Sequence, residues 1–232
     1  MSTEAVPLKR ADEAFVPAGV YALSERLGGA QPVGAFWMDR YPVTVDRFAR
    51  FIDRGGYDEP DYWDDDGWIW KKEKRIVLPR FWDEPAWRRY LRRGRPVVGV
   101  SYWEAVAFCR FEGRRLPTER EWEAAARGPA GWTYTWGDAW EEGRLGVRGV
   151  GPRMTWPVGY FRRAVGPFGH HDLIGNVWQW TSDPVDPKDP DQGRVVRGGS
   201  WASRPDQNRT DSWNAYEPGA QFSHLGFRTA RA

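Results

Sequence analysis

The stretch GRRLPTEREWEAAARG, residues 113–128, contains the clearest local signal in the chain. Thr118 and Glu121 lie three residues apart, which is the spacing of a capping box at the start of a helix. We expect this helix to run to Gly128 and to turn Trp122 towards the core.

Two further helices are predicted upstream by similar signals. Ser101 and Glu104 form a second capping box, and the helix that follows should end near Gly113. Thr44 opens an earlier helix, whose apolar residues recur at helical spacing and which ends at the glycine pair 55–56.

The rest of the chain reads as short strands and long loops. Residues 57–96 are aromatic but lack a period, so we expect a loop layer pinned by buried tryptophans, with a short helix near 84–93. Residues 34–39 should form a strand. Further strands are predicted at 156–160, 177–181, 194–197 and 225–230, separated by glycine- and proline-rich segments as in an antiparallel sheet.

Seven motifs follow one another in a recognisable order. They are YPVT (41–44), PVVGVSYWEA (96–105), GRRLPTEREWEAAARG (113–128), WGD (136–138), DLIGNVWQW (172–180), RGGSW (197–201) and GFR (226–228). Together they resemble the formylglycine-generating enzyme and sulfatase-modifying-factor family. The resemblance implies an α+β chain with a variant of the C-type lectin fold, in which a small twisted antiparallel sheet accompanies two main helices and extensive irregular loops. It also implies a single domain over residues 31–232, after a partly irregular N-terminal segment at 1–30.

Composition limits the classes of partner. The 34 basic and 32 acidic residues give a net charge of +2, so we expect no nucleic-acid partner. No run approaches the roughly 20 apolar residues of a membrane span, and the N-terminus lacks a secretory pattern. We therefore expect no membrane insertion and a location in the cytoplasm or on a phage or virus particle.

The sixteen tryptophans and the excess of Arg over Lys suggest a thermostable protein.

Arginines cluster at one place, between Arg88 and Arg95. A solvated helix face and a phosphate-binding patch are the two interpretations of this cluster.

The resemblance raises the question of catalysis. In the family, two cysteines after the Gly-Gly-Ser motif bind copper, which as copper(I) prefers thiolates. The corresponding positions here are about Ser203 and Asn208, and the lone Cys109 lies in an apolar helical run. We therefore expect no formylglycine generation, no catalytic residue and a protein that is not an enzyme.

Other cofactors of the family also lack an evident site. Ergothioneine-type sulfoxide synthases use a separate helical domain with iron-binding histidines, whereas this chain has only His170, His171 and His224. A calcium site is an alternative, formed by Asp172, Gly175, Val177 and Gln179. Because Gln179 stands where the family has Glu, that set contains one carboxylate, and we expect no cofactor.

Residues 202–224 resemble a binding surface, since small polar residues alternate with isolated aromatic ones. Target proteins of diversity-generating retroelements carry this fold and a similar segment between Arg-Gly-Gly-Ser-Trp and Gly-Phe-Arg. The resemblance implies a non-enzymatic variable protein that binds a protein or other surface macromolecule through this segment. The predicted contacts are Ala202, Ser203, Arg204, Asp206, Asn208, Asp211, Asn214, Ala215, Tyr216, Phe222, Ser223 and His224. An orphan family enzyme or enzyme subunit of unknown oxidative chemistry is the main alternative, and a calcium-dependent sugar lectin is a third.

Overall fold

The computed structural model describes residues 12–149 and 153–232, apart from the side chains of 190 and 191. This part of the chain contains four α-helices and nine strands. The helices are α1 (Val45–Asp53), α2 (Asp65–Glu73), α3 (Tyr102–Phe111) and α4 (Glu119–Arg127). The strands are β1 (Glu13–Val16), β2 (Gly19–Ala22), β3 (Ala30–Val33), β4 (Phe36–Asp39), β5 (Trp178–Asp186), β6 (Asp189–Arg197), β7 (Trp213–Tyr216), β8 (Leu225–Phe227) and β9 (Ala230–Arg231). Across these described ranges, no helix is long and apolar enough to cross a bilayer.

The three helices predicted from their capping residues are confirmed, together with their caps. Both arms of the α3 capping box are present, at 3.2 Å from the Glu104 amide to Ser101 Oγ and 2.7 Å from the Ser101 amide to Glu104 Oε2. The α4 box between Thr118 and Glu121 is equally complete. These local bonds satisfy N–H groups that a helix start otherwise leaves unpaired, which is why the sequence signal was reliable.

The strands form three small sheets. Their orders are β1-β4-β9, β2-β3 and β7-β6-β5-β8. All pairs are antiparallel except β5 and β8, which run parallel with Trp178 opposite Leu225. The α+β fold class is thus confirmed, with one parallel pair where an antiparallel sheet was expected. Strand β7 runs in the same direction as β5, because both are antiparallel to β6, and the chain then crosses from β7 at one edge of the sheet to β8 at the other.

Strands β1 and β2 lie within the predicted N-terminal segment 1–30. They pair with β4 and β3, respectively. Residues 1–11 lie outside the described residues, and the domain boundary at residue 30 stays a prediction.

The elements missed in the sequence include one helix and one strand near the candidate site. Helix α2 lies inside the predicted loop layer; Asp64 caps it, with Oδ1 2.8 Å from the Gly67 amide. Its apolar residues are bulky but not confined to one face, which hides the helical period. Strand β7 lies inside segment 202–224, where it pairs with β6 from Trp213 opposite Arg197 to Tyr216 opposite Arg194.

Two predicted elements are wrong. Residues 156–160 form a turn and not a strand, because Gly159 adopts a positive φ of 67° and its amide donates to the Asp172 carboxylate. The helix expected near 84–93 is a single turn at Pro85–Trp87. The arginines that follow this turn at 88, 89, 92 and 93 are exposed.

The apolar core consists of two clusters separated by β5. Trp178 and Trp180 face one cluster with the phenylalanines of α1 and α3, and the Trp180 indole donates to the Val100 carbonyl at 3.1 Å. Trp122 of α4 belongs to the other cluster and donates to Gln179 Oε1 at 3.0 Å. Alternation along β5 thus places apolar rings on one face and a polar contact on the other.

Arg228 is fully buried and joins several distant segments. Its guanidinium donates to Gln179 Oε1 at 2.6 Å, to the Asp39 carbonyl at 2.9 Å, and to the carbonyls of His171 and Asp172 at 2.8 and 3.0 Å. Burial lowers the pKa of Arg228 to about 10, which leaves the side chain charged at neutral pH. Its planar fork thus satisfies several buried carbonyls at once.

Replacing Arg228 with lysine should destabilise the fold by about 3 kcal/mol, because one ammonium cannot reach all of these acceptors and leaves buried carbonyls unsatisfied. Urea unfolding followed by circular dichroism measures this change. Arg231→Lys is the matched control. Arg231 lies three residues on, is partly exposed and pairs with Glu13, so its replacement should cost less than about 1 kcal/mol. Equal effects of the two variants would contradict the proposed role of Arg228.

Candidate functional site

The Gly-Gly turn after β6 brings both ends of segment 202–224 together. Gly198 and Gly199 have φ values of 98° and 74°, and a Cβ on either would collide with neighbouring atoms. The turn leads into Trp201, whose amide donates to the Asn176 carbonyl at 3.0 Å and whose indole donates to the Ser223 carbonyl at 3.3 Å. Trp201 therefore links the start of the segment to its end.

Ser203 and Asn208, which replace the expected cysteine pair, are both buried. Ser203 Oγ lies 3.1 Å from the Ser200 amide, and Asn208 Nδ2 donates to the Arg204 carbonyl at 2.7 Å. Each side chain thus closes its own loop. Cys109 is buried in α3, where burial raises the pKa of its thiol. These residues do not fit copper, since copper(I) needs thiolate ligands that can approach one ion.

Three aromatic side chains near the end of the segment form one cluster, which we call the aromatic patch: Tyr216, Phe222 and His224. The Phe222 and His224 rings are stacked with centroids 5.4 Å apart, and Tyr216 lies 5.0 Å from Phe222. The Tyr216 hydroxyl lies 3.4 Å from His224 Nε2 and receives a hydrogen bond from Asn214 Nδ2 at 3.2 Å. Four predicted contact residues are therefore brought together at one place.

The aromatic patch is held in position by the start of α3. Gln221 Nε2 donates to Glu104 Oε2 at 2.8 Å, and the Tyr57 hydroxyl donates to the same carboxylate. The backbone is fixed as well, since the Gly99 amide donates to the Phe222 carbonyl at 3.0 Å. The capping glutamate of α3 thus also anchors the loop that carries the patch.

The protonation of the patch is set by its partial burial. Burial lowers the pKa of His224, and burial raises the pKa of Tyr216 despite the hydrogen bond from Asn214. Near neutral pH the patch therefore presents a neutral imidazole beside a protonated phenol. Such a pair can donate and accept hydrogen bonds at a bound molecule.

The other predicted contacts are scattered. Arg204 and Asp206 form an exposed ion pair at 3.3 Å, and Asp211 pairs with Arg209 at 3.0 Å. Ala215 lies in β7 opposite Val195. Ser223 contributes its carbonyl to Trp201, and Ala202 lines a separate cleft. Trp201 was missed as a site residue, although its place directly after the Gly-Gly turn was a usable signal.

The possible metal ligands do not converge. His170 is buried, His171 stacks on Tyr41 and His224 belongs to the aromatic patch. Within the described ranges, no group of three His, Cys, Asp or Glu side chains could hold a metal ion.

Several oxygens of the alternative calcium site already accept hydrogen bonds. Gln179 Nε2 donates to the carbonyls of Asp172 at 2.8 Å and Val177 at 3.3 Å. The Asp172 carboxylate accepts from the Gly159 amide at 2.6 Å. Because N–H groups already bind these oxygens, the donor set does not fit a calcium ion.

Comparisons with known proteins agree with the architecture. The model of the sulfatase-modifying factor enzyme 1-like domain matches residues 3–232. The chain is 33% identical over 211 residues to a hercynine oxygenase of Mycolicibacterium smegmatis, covering 78% of this chain and 49% of that protein. It is 32% identical over 264 residues to a formylglycine-generating enzyme of Mycobacterium tuberculosis, covering 84% and 87%.

Solved structures show the same fold. PvdO from Pseudomonas aeruginosa superposes with a TM-score of 0.68 at 22% identity, covering 94% of this chain and 93% of that one. Variable protein 1 of Treponema denticola also gives 0.68, at 20% identity and 94% coverage of each chain. The expected likeness to a variable protein is thus confirmed at the level of the fold.

The expectation that the protein is not an enzyme is wrong. The curated relatives named above are enzymes, and their identity extends over most of this chain. The loss of the cysteine pair argued only against one chemistry, copper-dependent formylglycine formation. The chain spans about half the length of the hercynine oxygenases that it matches.

Replacing Gln221 with leucine should destabilise the protein by about 1–3 kcal/mol, because the buried Glu104 carboxylate loses a donor. It should also speed hydrogen exchange of the Gly99 amide, because the acceptor of that amide, the Phe222 carbonyl, lies in the same loop as Gln221. Chemical unfolding and amide exchange measured by NMR check the two effects. Gln192→Leu, at an exposed glutamine on β6, should change stability by less than about 0.5 kcal/mol. Unchanged Gly99 protection in Gln221→Leu would show that the loop is held by other contacts.

Proposed function

Because this chain belongs to the family of sulfatase-modifying factor enzyme 1-like domains, we propose that it is an oxidative enzyme of that family or the substrate-binding part of one. The observation that carries the proposal is the 33% identity to hercynine oxygenase over 78% of the chain. The aromatic patch and the Gly-Gly turn supply the substrate contacts in this proposal.

The proposed substrate class is a small betaine such as hercynine, the trimethylated form of histidine. A quaternary ammonium group is attracted to the faces of aromatic rings, and the patch offers the rings of Tyr216 and Phe222. The partial exposure of Phe222, at 37%, leaves its ring accessible to such a group. The tyrosine and phenylalanine thus provide affinity for the cation.

The polar atoms of the patch suit the imidazole of the same substrate. The Tyr216 hydroxyl and His224 Nε2 lie 3.4 Å apart, so one can donate a hydrogen bond where the other accepts. Their pKa shifts, upward for Tyr216 and downward for His224, keep both groups neutral near pH 7. In this proposal the pair orients the substrate ring and exchanges a proton with it.

In this proposal the oxidising centre lies outside the described residues of this chain. The oxidant would be supplied by further sequence or by a partner subunit. This chain would contribute the wall that binds and orients the substrate. The wall is rigid because Glu104 and Trp201 fix the loop on both sides, which limits the entropy lost on binding.

Titration calorimetry with hercynine tests the proposal, with histidine as the matched ligand that lacks the three methyl groups. Hercynine should bind about tenfold more tightly than histidine, because cation–π attraction to the patch requires the quaternary ammonium. Phe222→Ala should weaken hercynine binding by about tenfold and leave histidine nearly unaffected.

Phe15→Ala is the control variant, since Phe15 is a similarly exposed aromatic residue on β1. It should bind hercynine like the unaltered protein. Equal affinity for the two ligands, or an unaltered response of Phe222→Ala, would rule out the aromatic patch as the betaine site.

A further inference from the structure

A cleft of about 560 Å³ opens beside Trp201, and the described residues that line it include none of the three residues of the aromatic patch. Its walls include Arg89, Tyr90, Arg148, Arg153, Trp201 and Ala202. The volume lies within the range of small-molecule sites, and the lining combines aromatic surface with a few charged groups, as such sites do.

The walls of the cleft are anchored to the core. The Arg148 amide donates to the Ser203 carbonyl at 3.0 Å, and the preceding Val147 is buried in the α4 cluster. The Tyr90 hydroxyl lies 3.4 Å from the Arg153 carbonyl, and its ring packs against Trp87. The described backbone at Arg148 and Arg153 is therefore held by hydrogen bonds, while the three arginine side chains remain exposed.

Positive charge in the cleft is not neutralised from within. Among the residues with described coordinates, Arg89, Arg148 and Arg153 have no carboxylate within 4 Å, in contrast to Arg47, Arg197 and Arg231. Arg89 instead donates to the Tyr90 hydroxyl at 3.2 Å and covers the tyrosine ring. Three guanidinium groups around one cavity repel each other in the absence of an anion.

We propose that this cleft is a second binding site, which takes a small organic anion with a carboxylate or phosphate group at the arginines and an apolar body against Tyr90 and Trp201. Arginine binds both kinds of oxyanion through its planar fork. The arginines would attract the carboxylate of a betaine but repel its quaternary ammonium, so a molecule with a net negative charge suits the cleft better. The ligand of the cleft is therefore chemically distinct from that of the aromatic patch, and the site does not depend on the proposed function.

Ala202 gives the cleft part of its space. It is half-buried and its amide donates to Ser200 Oγ at 3.2 Å, so its backbone is fixed by the Gly-Gly turn. A large side chain at this position would project into the cavity without removing any charge. A substitution at position 202 therefore tests whether the anion binds inside the cavity or only to a basic surface.

Titration calorimetry with benzoate, phenyl phosphate and neutral benzamide tests the proposal on the full chain. At least one of the two anions should bind, benzamide should not, and added salt should weaken the interaction. Binding of benzoate alone identifies a carboxylate site, and binding of phenyl phosphate alone identifies a phosphate site. Failure of both anions to bind at millimolar concentration, or equal binding of benzamide, would overturn the proposal.

Two variants locate the site. Arg148→Ala should weaken anion binding by about tenfold, since it removes a charged donor, and Ala202→Phe should abolish binding by filling the cavity. Arg120→Ala is the control, at an exposed arginine on α4, and should bind like the unaltered protein. Circular dichroism establishes that each variant folds. If Ala202→Phe folds and binds the anion normally, the cleft is not the site, whatever Arg148→Ala shows.

Discussion

The hydrogen bonds of the buried Arg228 and Gln179 side chains are the contact on which the rest of the structure depends. Gln179 accepts from both Arg228 and Trp122 through Oε1, and its Nε2 donates to backbone carbonyls between Asp172 and Val177. Arg228 reaches the end of β4 at the same time. One charged fork and one amide thereby satisfy backbone carbonyls at the end of β4 and in the irregular chain that precedes β5.

This arrangement explains how so irregular a chain presents a defined surface. Segment 202–224 is bounded by the Gly-Gly turn at one end and by the β8 pairing with β5 at the other, and Glu104 holds it near its end through Gln221. Some of its polar residues are therefore loop-closing groups, as Ser203 and Asn208 are. Other residues of the segment, including Phe222, remain exposed on a fixed support.

The relation to catalytic relatives also follows from this support. Buried hydrogen-bonding residues have replaced the thiolates of one chemistry, yet the motifs that build the frame are all present. A frame that does not rely on the reactive residues for its stability can keep its geometry when those residues change. The absence of the copper-binding cysteine pair thus argues against only one reaction, and it was too narrow a basis for excluding catalysis.

The sequence by itself determined the family, three helices and the main strands, because capping boxes such as that of Ser101 and Glu104 act within a few residues of the chain. It also located the aromatic residues of the patch. Only the tertiary structure decided which residues of 202–224 are buried, that β7 pairs with β6, and that Tyr90 and Arg148 share a cleft with Trp201. These relations join residues far apart in sequence, and no local periodicity encodes such contacts.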